Sequence, residues 1–338
     1  MSGISPAAPP PRAARPKAPK SRTSSCGSGH GRDGIEKKPP VRATVLIPTH
    51  DHGPTLRHSV ATALAQTVKD IEIFIIGDGM PDAARDVVRS VARLDHRIRL
   101  FEHPKAPRHG ETLRHETLRE AAGHAVCYLS DDDLWLPDHV ETMLTLLEHC
   151  DFGNALPLYL HRRQGLSSLT INLENDYFRR LILAGTNRVP LSCAAHTLDM
   201  YRKLPHGRRT TPAGIPTDLY MWQQFLADPG CRARSASRPT VLCFPASTRK
   251  TMTAVERAEE LAEWSARIAG PALTTQALER FVRECARIEA EGAAGLTNEL
   301  GALNRSVEMR AGRKLLSLPL IGVLARLAYR LRDRASSR

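Results

Sequence analysis

Between residues 43 and 147 the sequence alternates four times between a short apolar run and a stretch of helical periodicity. No other feature narrows the fold as much. The apolar runs are Ala43 to Pro48, Ile71 to Ile76, Ile98 to Phe101 and AVCYL, which begins at Ala125. Helical patterns follow from about Thr55 to Gln66, with Leu56, Val60 and Leu64 on one face, then from about Pro81 to Leu94 and from Glu111 to Ala122. The last is LPDHVETMLTLLEH, with Pro137 in its first turn, where the missing N–H costs no hydrogen bond. Continuously apolar strands are those buried on both faces, and repeated strand–helix units form a parallel sheet with right-handed crossovers. Such sheets bind ligands outside the carboxyl ends of their strands. Two carboxylate-bearing turns fall at those ends: GDG after the second run, and DDD, Asp131 to Asp133, after the fourth.

Beyond residue 151 the alternation weakens. LYLHRRQG and SLTINLEN suggest a hairpin or an irregular insert, DYFRRLILAG a helix, and PLSCAAHT and TVLCFP strands. TDLYMWQQFLAD predicts a helix opening on Asp218, and from about Ala254 the pattern is helical and amphipathic to the end. The expected organisation is a basic, disordered Pro/Ser-rich tail over 1–40, an α/β domain over 41–250 and a helical extension over 251–338.

The net charge of +12 suggests nucleic acid until it is located. Residues 1–42 and 305–338 each carry +7, which leaves −2 for the 262 residues between them. A nearly neutral centre makes nucleic acid an unlikely partner, and the basic excess belongs to tails suited to anionic surfaces. In LPLIGVLARLAYRLRDR, Leu320, Leu324, Leu327 and Leu331 share one helical face, with Arg326, Arg330 and Arg334 on another. A basic amphipathic helix of this kind can make peripheral contact with a membrane; packing on the domain is the alternative. Seven scattered cysteines without a CxxC pair imply free thiols in a reducing compartment. Neither a signal peptide nor a spanning segment is visible, so a cytoplasmic location is expected.

Four stretches taken in order resemble the large inverting glycosyltransferase family with the GT-A fold, family 2. ATVLIPTHDHGPTLRHSVATALAQT is similar to its first strand and helix, and IEIFIIGDGMPD to its second strand and nucleotide-binding turn. HGETLRHETLREAAGHAVCYLSDDDLW resembles its Gly-and-Arg stretch and DxD motif, and TDLYMW the motif that places the catalytic base. The resemblance covers roughly residues 42 to 250. It implies a Rossmann-like, mostly parallel sheet, and a metal-dependent enzyme that moves a sugar from a nucleotide-diphosphate sugar to a hydroxyl of a glycan or lipid-linked acceptor. UDP is the family's commonest nucleotide. Mg²⁺ or Mn²⁺ at carboxylate oxygens would neutralise the leaving diphosphate.

Carried over residue by residue, Asp132 is the expected metal ligand with Asp133 in support, and Asp131 meets the sugar; a second register pairs Asp131 with Asp133. Asp78 accepts hydrogen bonds from base or ribose. Thr49 and Asp51, in the first polar turn, help hold the base. Arg114 braces the diphosphate or orders the acidic motif, and Arg249 reaches the diphosphate from a late loop. Asp218 is the general base of a single displacement. The plain alternatives are a helix cap for the acidic turn and for Asp218, an Asx-turn for Asp78, and exposed helix or loop positions for the rest. The family's D-D-G-S reads G-D-G-M here, at Gly77 to Met80. Two rival functions stay open: a degenerate, non-enzymatic module acting through its tails, and a sugar nucleotidyltransferase. The second would need a Gly-rich, Lys-bearing loop after the first strand, where THDHGPTL has one Gly and no Lys.

Overall fold

The computed structural model describes residues 40–161, 165–270, 278–287, 289–292 and 294. Residues 1–39 and the expected amphipathic helix around Leu320 to Leu331 lie outside the described residues.

The chain runs β1 (Ala43–Thr49), α1 (Gly53–Leu64), β2 (Ile71–Asp78), α2 (Asp82–Ala92), β3 (Ile98–His103), α3 (Glu111–Thr117), β4 (Ala125–Tyr128), β5 (Leu134–Trp135) and α4 (His139–Leu147). It continues with β6 (Phe152–His161), β7 (Gly165–Ser167), α5 (Asp176–Leu183), β8 (Ala194–Thr197), α6 (Leu198–Lys203), α7 (Thr217–Ala227), β9 (Ala233–Cys243) and α8 (Ala254–Ala269).

Side-chain alternation explains the two-sided core. Val45, Ile47, Ile73, Ile75 and Cys127 enter one buried cluster with Leu56, Val60 and Ala63 of α1 and Val140 and Met143 of α4. Their neighbours Leu46, Phe74, Ile76, Val126 and Tyr128 enter a second cluster on the opposite face, with Leu113 of α3 and Trp222 and Phe225 of α7. Period-two alternation within wholly apolar runs puts helices on both faces.

The strand order is β3-β2-β1-β4-β8-β6-β9-β5, with β7 hairpinned onto β6. β3, β2, β1 and β4 are parallel, as expected. The rest adds short antiparallel pairings to that parallel half. β8 inserts between β4 and β6 antiparallel to both, β6 and β9 are parallel, and β5 pairs antiparallel with β9. An apolar run specifies burial but not strand direction, so the second half of the sheet was not readable in this way. The result is a mixed α/β sheet.

The boundary expected at residue 250 also moves. α8 carries a complete capping box between Thr253 and Glu256, packs beside α1, and buries Leu261 in the cluster that holds Leu158 and Leu160 of β6. It is fastened to the domain. No described helix is long and apolar enough to cross a membrane.

Candidate active site

β1, β2 and β4 are adjacent and parallel, so their carboxyl ends open on one edge of the sheet. β2 extends two residues beyond the expected run and ends on Asp78 itself. The acidic turn begins three residues past β4.

Asp78 is buried, and both its oxygens are engaged: Oδ1 accepts from Ala106 N at 2.7 Å and Oδ2 from Lys105 Nζ. Its backbone carbonyl lies 2.7 Å from His50 Nδ1. Gly110, with φ +67°, passes so close that a Cβ there would sit 2.9 Å from Asp78 Oδ2. Lys105 is a cation beside Asp78 that the sequence did not single out. Thr49 is buried with its hydroxyl unpartnered, while Asp51 is exposed beside His52.

The three aspartates of the turn have separate surroundings. Asp131 Oδ1 accepts from His52 Nδ1 at 3.1 Å. Asp132 Oδ1 accepts from Ser130 Oγ at 2.7 Å, and Oδ2 accepts from Arg257 Nη2 on α8 at 2.5 Å. Asp133 points inward: Oδ1 takes Phe244 N at 2.9 Å and Oδ2 the Ser192 hydroxyl at 2.5 Å. Ser192 also receives Ser130 N, and its carbonyl takes Trp135 Nε1, so one residue braces the whole turn. Burial, then the neighbouring carboxylates, raises the pKa of Asp132 and of Asp133. The hydrogen bond to Asp131 pushes His52 up to about 9 against desolvation. His52 Nε2 also lies 3.1 Å from Arg257 Nη1, which can only donate. The two contacts oppose one another: Asp131 favours the protonated ring, and the guanidinium beside Nε2 favours the neutral one.

Metal ions of the Mg²⁺ or Mn²⁺ type are held by one or two carboxylates plus phosphates and water. Here both oxygens of Asp132 and both of Asp133 already accept protein hydrogen bonds. Among the described residues no group of three or more His, Cys, Asp or Glu converges as a metal site. An ion on Asp132 would have to displace Arg257. As arranged, Asp132 and Asp133 do not present a free pair of oxygens to a metal, whereas Asp131, among the described residues, is engaged only at Oδ1, by His52.

Asp218 occupies the first turn of α7, half-buried. Burial raises its pKa, and the guanidiniums of Arg208 and Arg114 oppose the rise. Arg114 is buried on α3, donates to His109 O at 2.6 Å, and is pulled down to about 10 by desolvation and by Arg208. Arg208 stacks on Tyr128 of β4, 4.4 Å from the ring centre, with both terminal nitrogens unpartnered. Arg208 thus packs on the strand that leads to the acidic turn, and its charge, with that of Arg114, acts on Asp218 through space. His196 belongs to the core, stacked on Tyr201 and bonded to Tyr128.

Arg249 departs from expectation. Its Nε and Nη2 each donate to Glu260 of α8 at 2.7 Å, and its Nη1 donates to Leu160 O at 3.0 Å. It is buried and committed to docking α8, which leaves no free edge for a diphosphate.

The site thus sits on a mixed α/β sheet with flanking helices, at the carboxyl edge of its parallel strands. Residues 44–205 match the family described as Glycosyl transferase family 2. Glycosyltransferase GlyA of Streptococcus pneumoniae is 30% identical over 102 residues, which are 30% of this chain and 14% of that protein. A Campylobacter jejuni protein, GalNAc(5)-diNAcBac-PP-undecaprenol beta-1,3-glucosyltransferase, is 26% identical over 103 residues, 30% of this chain and 33% of its own. These matches thus span a third or less of the curated relatives. Among solved structures, Staphylococcus aureus TarS with UDP-GlcNAc is 12% identical, covering 72% of this chain and 71% of its own, with a TM-score of 0.48. The Pyrobaculum calidifontis mannosyltransferase PcManGT, with GDP-Man and Mn²⁺, is 17% identical, covering 76% and 84%, with a TM-score of 0.42.

Proposed function

We propose that this chain transfers a sugar from a nucleotide-diphosphate sugar to a hydroxyl of a cell-envelope or lipid-linked glycan, with inversion. One observation carries the reading: Asp78, Asp131 and Asp132 lie together at the carboxyl ends of adjacent parallel strands of the region that matches family 2. The Campylobacter relative, named for an undecaprenol-linked glycan, supports the acceptor class.

In the reaction the acceptor oxygen attacks the anomeric carbon and forms the new C–O bond. The bond from that carbon to the nucleotide's phosphate oxygen breaks, and its electron pair leaves with the diphosphate. Asp218 takes the acceptor's proton; a carboxylate whose pKa is raised by burial is the better base. Thr49, Asp51 and Asp78 border the nucleoside, and Asp131 faces the sugar. Arg114 orders the loop at His109 beside the site.

The test offers UDP-, GDP- and dTDP-sugars with short glycan and lipid-linked acceptors and measures release of nucleoside diphosphate. Release from one donor class, lowered about 100-fold or more by Asp218→Asn with donor affinity unchanged, supports the reading. Equal rates in both proteins would remove Asp218 from the mechanism.

A further inference from the structure

We propose that Arg257 is the resident cation of the donor site, and that its guanidinium takes the diphosphate where a divalent ion was expected. This rests on the donor-site reading above and specifies which group meets the phosphates.

The geometry is that of a charge built into the protein. Arg257 lies in the first turn of α8, and its side chain and that of Asp132 are 13% and 14% exposed. Nη2 holds Asp132, Nη1 faces His52, and Nε–H is buried without a partner. Each terminal nitrogen carries a second hydrogen, so the fork can hold the acidic turn and still donate. A guanidinium stays charged at any working pH, and its planar donors match phosphate oxygens two at a time. The amino end of α8, its positive end, lies at the same place.

Docking of α8 does not require this pair. Arg249–Glu260 and the burial of Leu261 already fasten the helix. Nor is Arg257 a replaceable counter-ion for a turn otherwise ready for metal, because Asp133 has turned both oxygens into the fold. What the arrangement offers a leaving diphosphate is an oriented guanidinium, held on one side by Asp132 and on the other by His52.

Calorimetric titration of UDP, GDP and dTDP into the full chain tests this, in EDTA and again with Mn²⁺. The expected result is that one nucleoside diphosphate binds in EDTA, and that Mn²⁺ tightens it by no more than about threefold. Arg257→Ala should weaken that diphosphate about 10- to 100-fold and leave the matching nucleoside unchanged. Arg257→Lys, which keeps the charge opposite Asp132, should melt within a few degrees of the parent and bind between the two. Binding that appears only with Mn²⁺ and survives Arg257→Ala overturns the assignment but leaves the glycosyltransferase reading intact. Failure of every nucleotide in both conditions removes both. The EDTA arm needs no variant, so misfolding of one cannot obscure the answer.

Discussion

Asp131 and Asp133 are two residues apart, yet their substitution should give different defects. Asp133→Ala strands the Phe244 N–H and the Ser192 hydroxyl, both of which it accepts. A buried polar group left unpaired costs about 1–3 kcal/mol, so a lower melting temperature is expected. Asp131→Asn keeps the shape and should spare stability while weakening the sugar donor relative to its free nucleotide; thermal melts and donor titrations separate the two. Gly110→Ala tests the nucleoside end. Its φ of +67° and the approach to Asp78 leave no room for a methyl group, so about 1–2 kcal/mol of stability should be lost and nucleotide affinity should fall. That Asp78 and the acidic turn fall at the carboxyl ends of strands was legible in sequence. The buried commitment of Asp133 was not, because its partners lie 59 and 111 residues away. Arg249 misled for a different reason: its partner Glu260 is only 11 residues on, but on a helix assigned to a separate extension.

Elements recognised by their own apolar runs were placed well; those defined by their partners were not. β5 is two residues, Leu134–Trp135, and is a strand only because β9 lies beside it. β9 itself runs eleven residues, from Ala233, through a polar start that read as loop. α6 is too short to show periodicity. Packing at this level also buries two histidines, His139 against Trp135 and His196 against Tyr201. Burial lowers each to about 3, from an ordinary 6.5. Between those values the unfolded chain binds protons that the folded one refuses. The contribution of each histidine is therefore full above about pH 7 and falls on acidification by about 1.4 kcal/mol per pH unit, while the raised carboxyls of Asp132, Asp133 and Asp218 act in the opposite sense. The difference in urea midpoint between the parent and His139→Gln should therefore change between pH 7.5 and 5, in favour of the variant at the lower pH.

For the molecule as a whole, the matched region ends at residue 205, before Asp218, Arg249 and Arg257. The structure brings Arg257 of α8 onto Asp132 and commits Arg249 to Glu260 of α8, so the folded unit reaches at least into α8. A chain ending at residue 250 should lose the Arg249–Glu260 pair and the burial of Leu261, together roughly 3–5 kcal/mol or more. Such a truncation should melt far lower and fail to bind nucleoside diphosphate, whereas one ending at residue 294 should do both as the parent does. Melting curves and titrations on the two decide where the domain stops.

The contact between Asp132 and Arg257 spans 125 residues, and this has a consequence in time. A ribosome adds about 5–20 residues per second, so the acidic turn leaves the exit tunnel roughly 6–25 seconds before the arginine that neutralises it. During that interval the parallel strands β1 to β4 can already pair, but three carboxylates stand together without their cation. Vectorial synthesis therefore completes the donor edge late. A nascent chain halted before α8 would hold most of the sheet but lack the cation opposite Asp132.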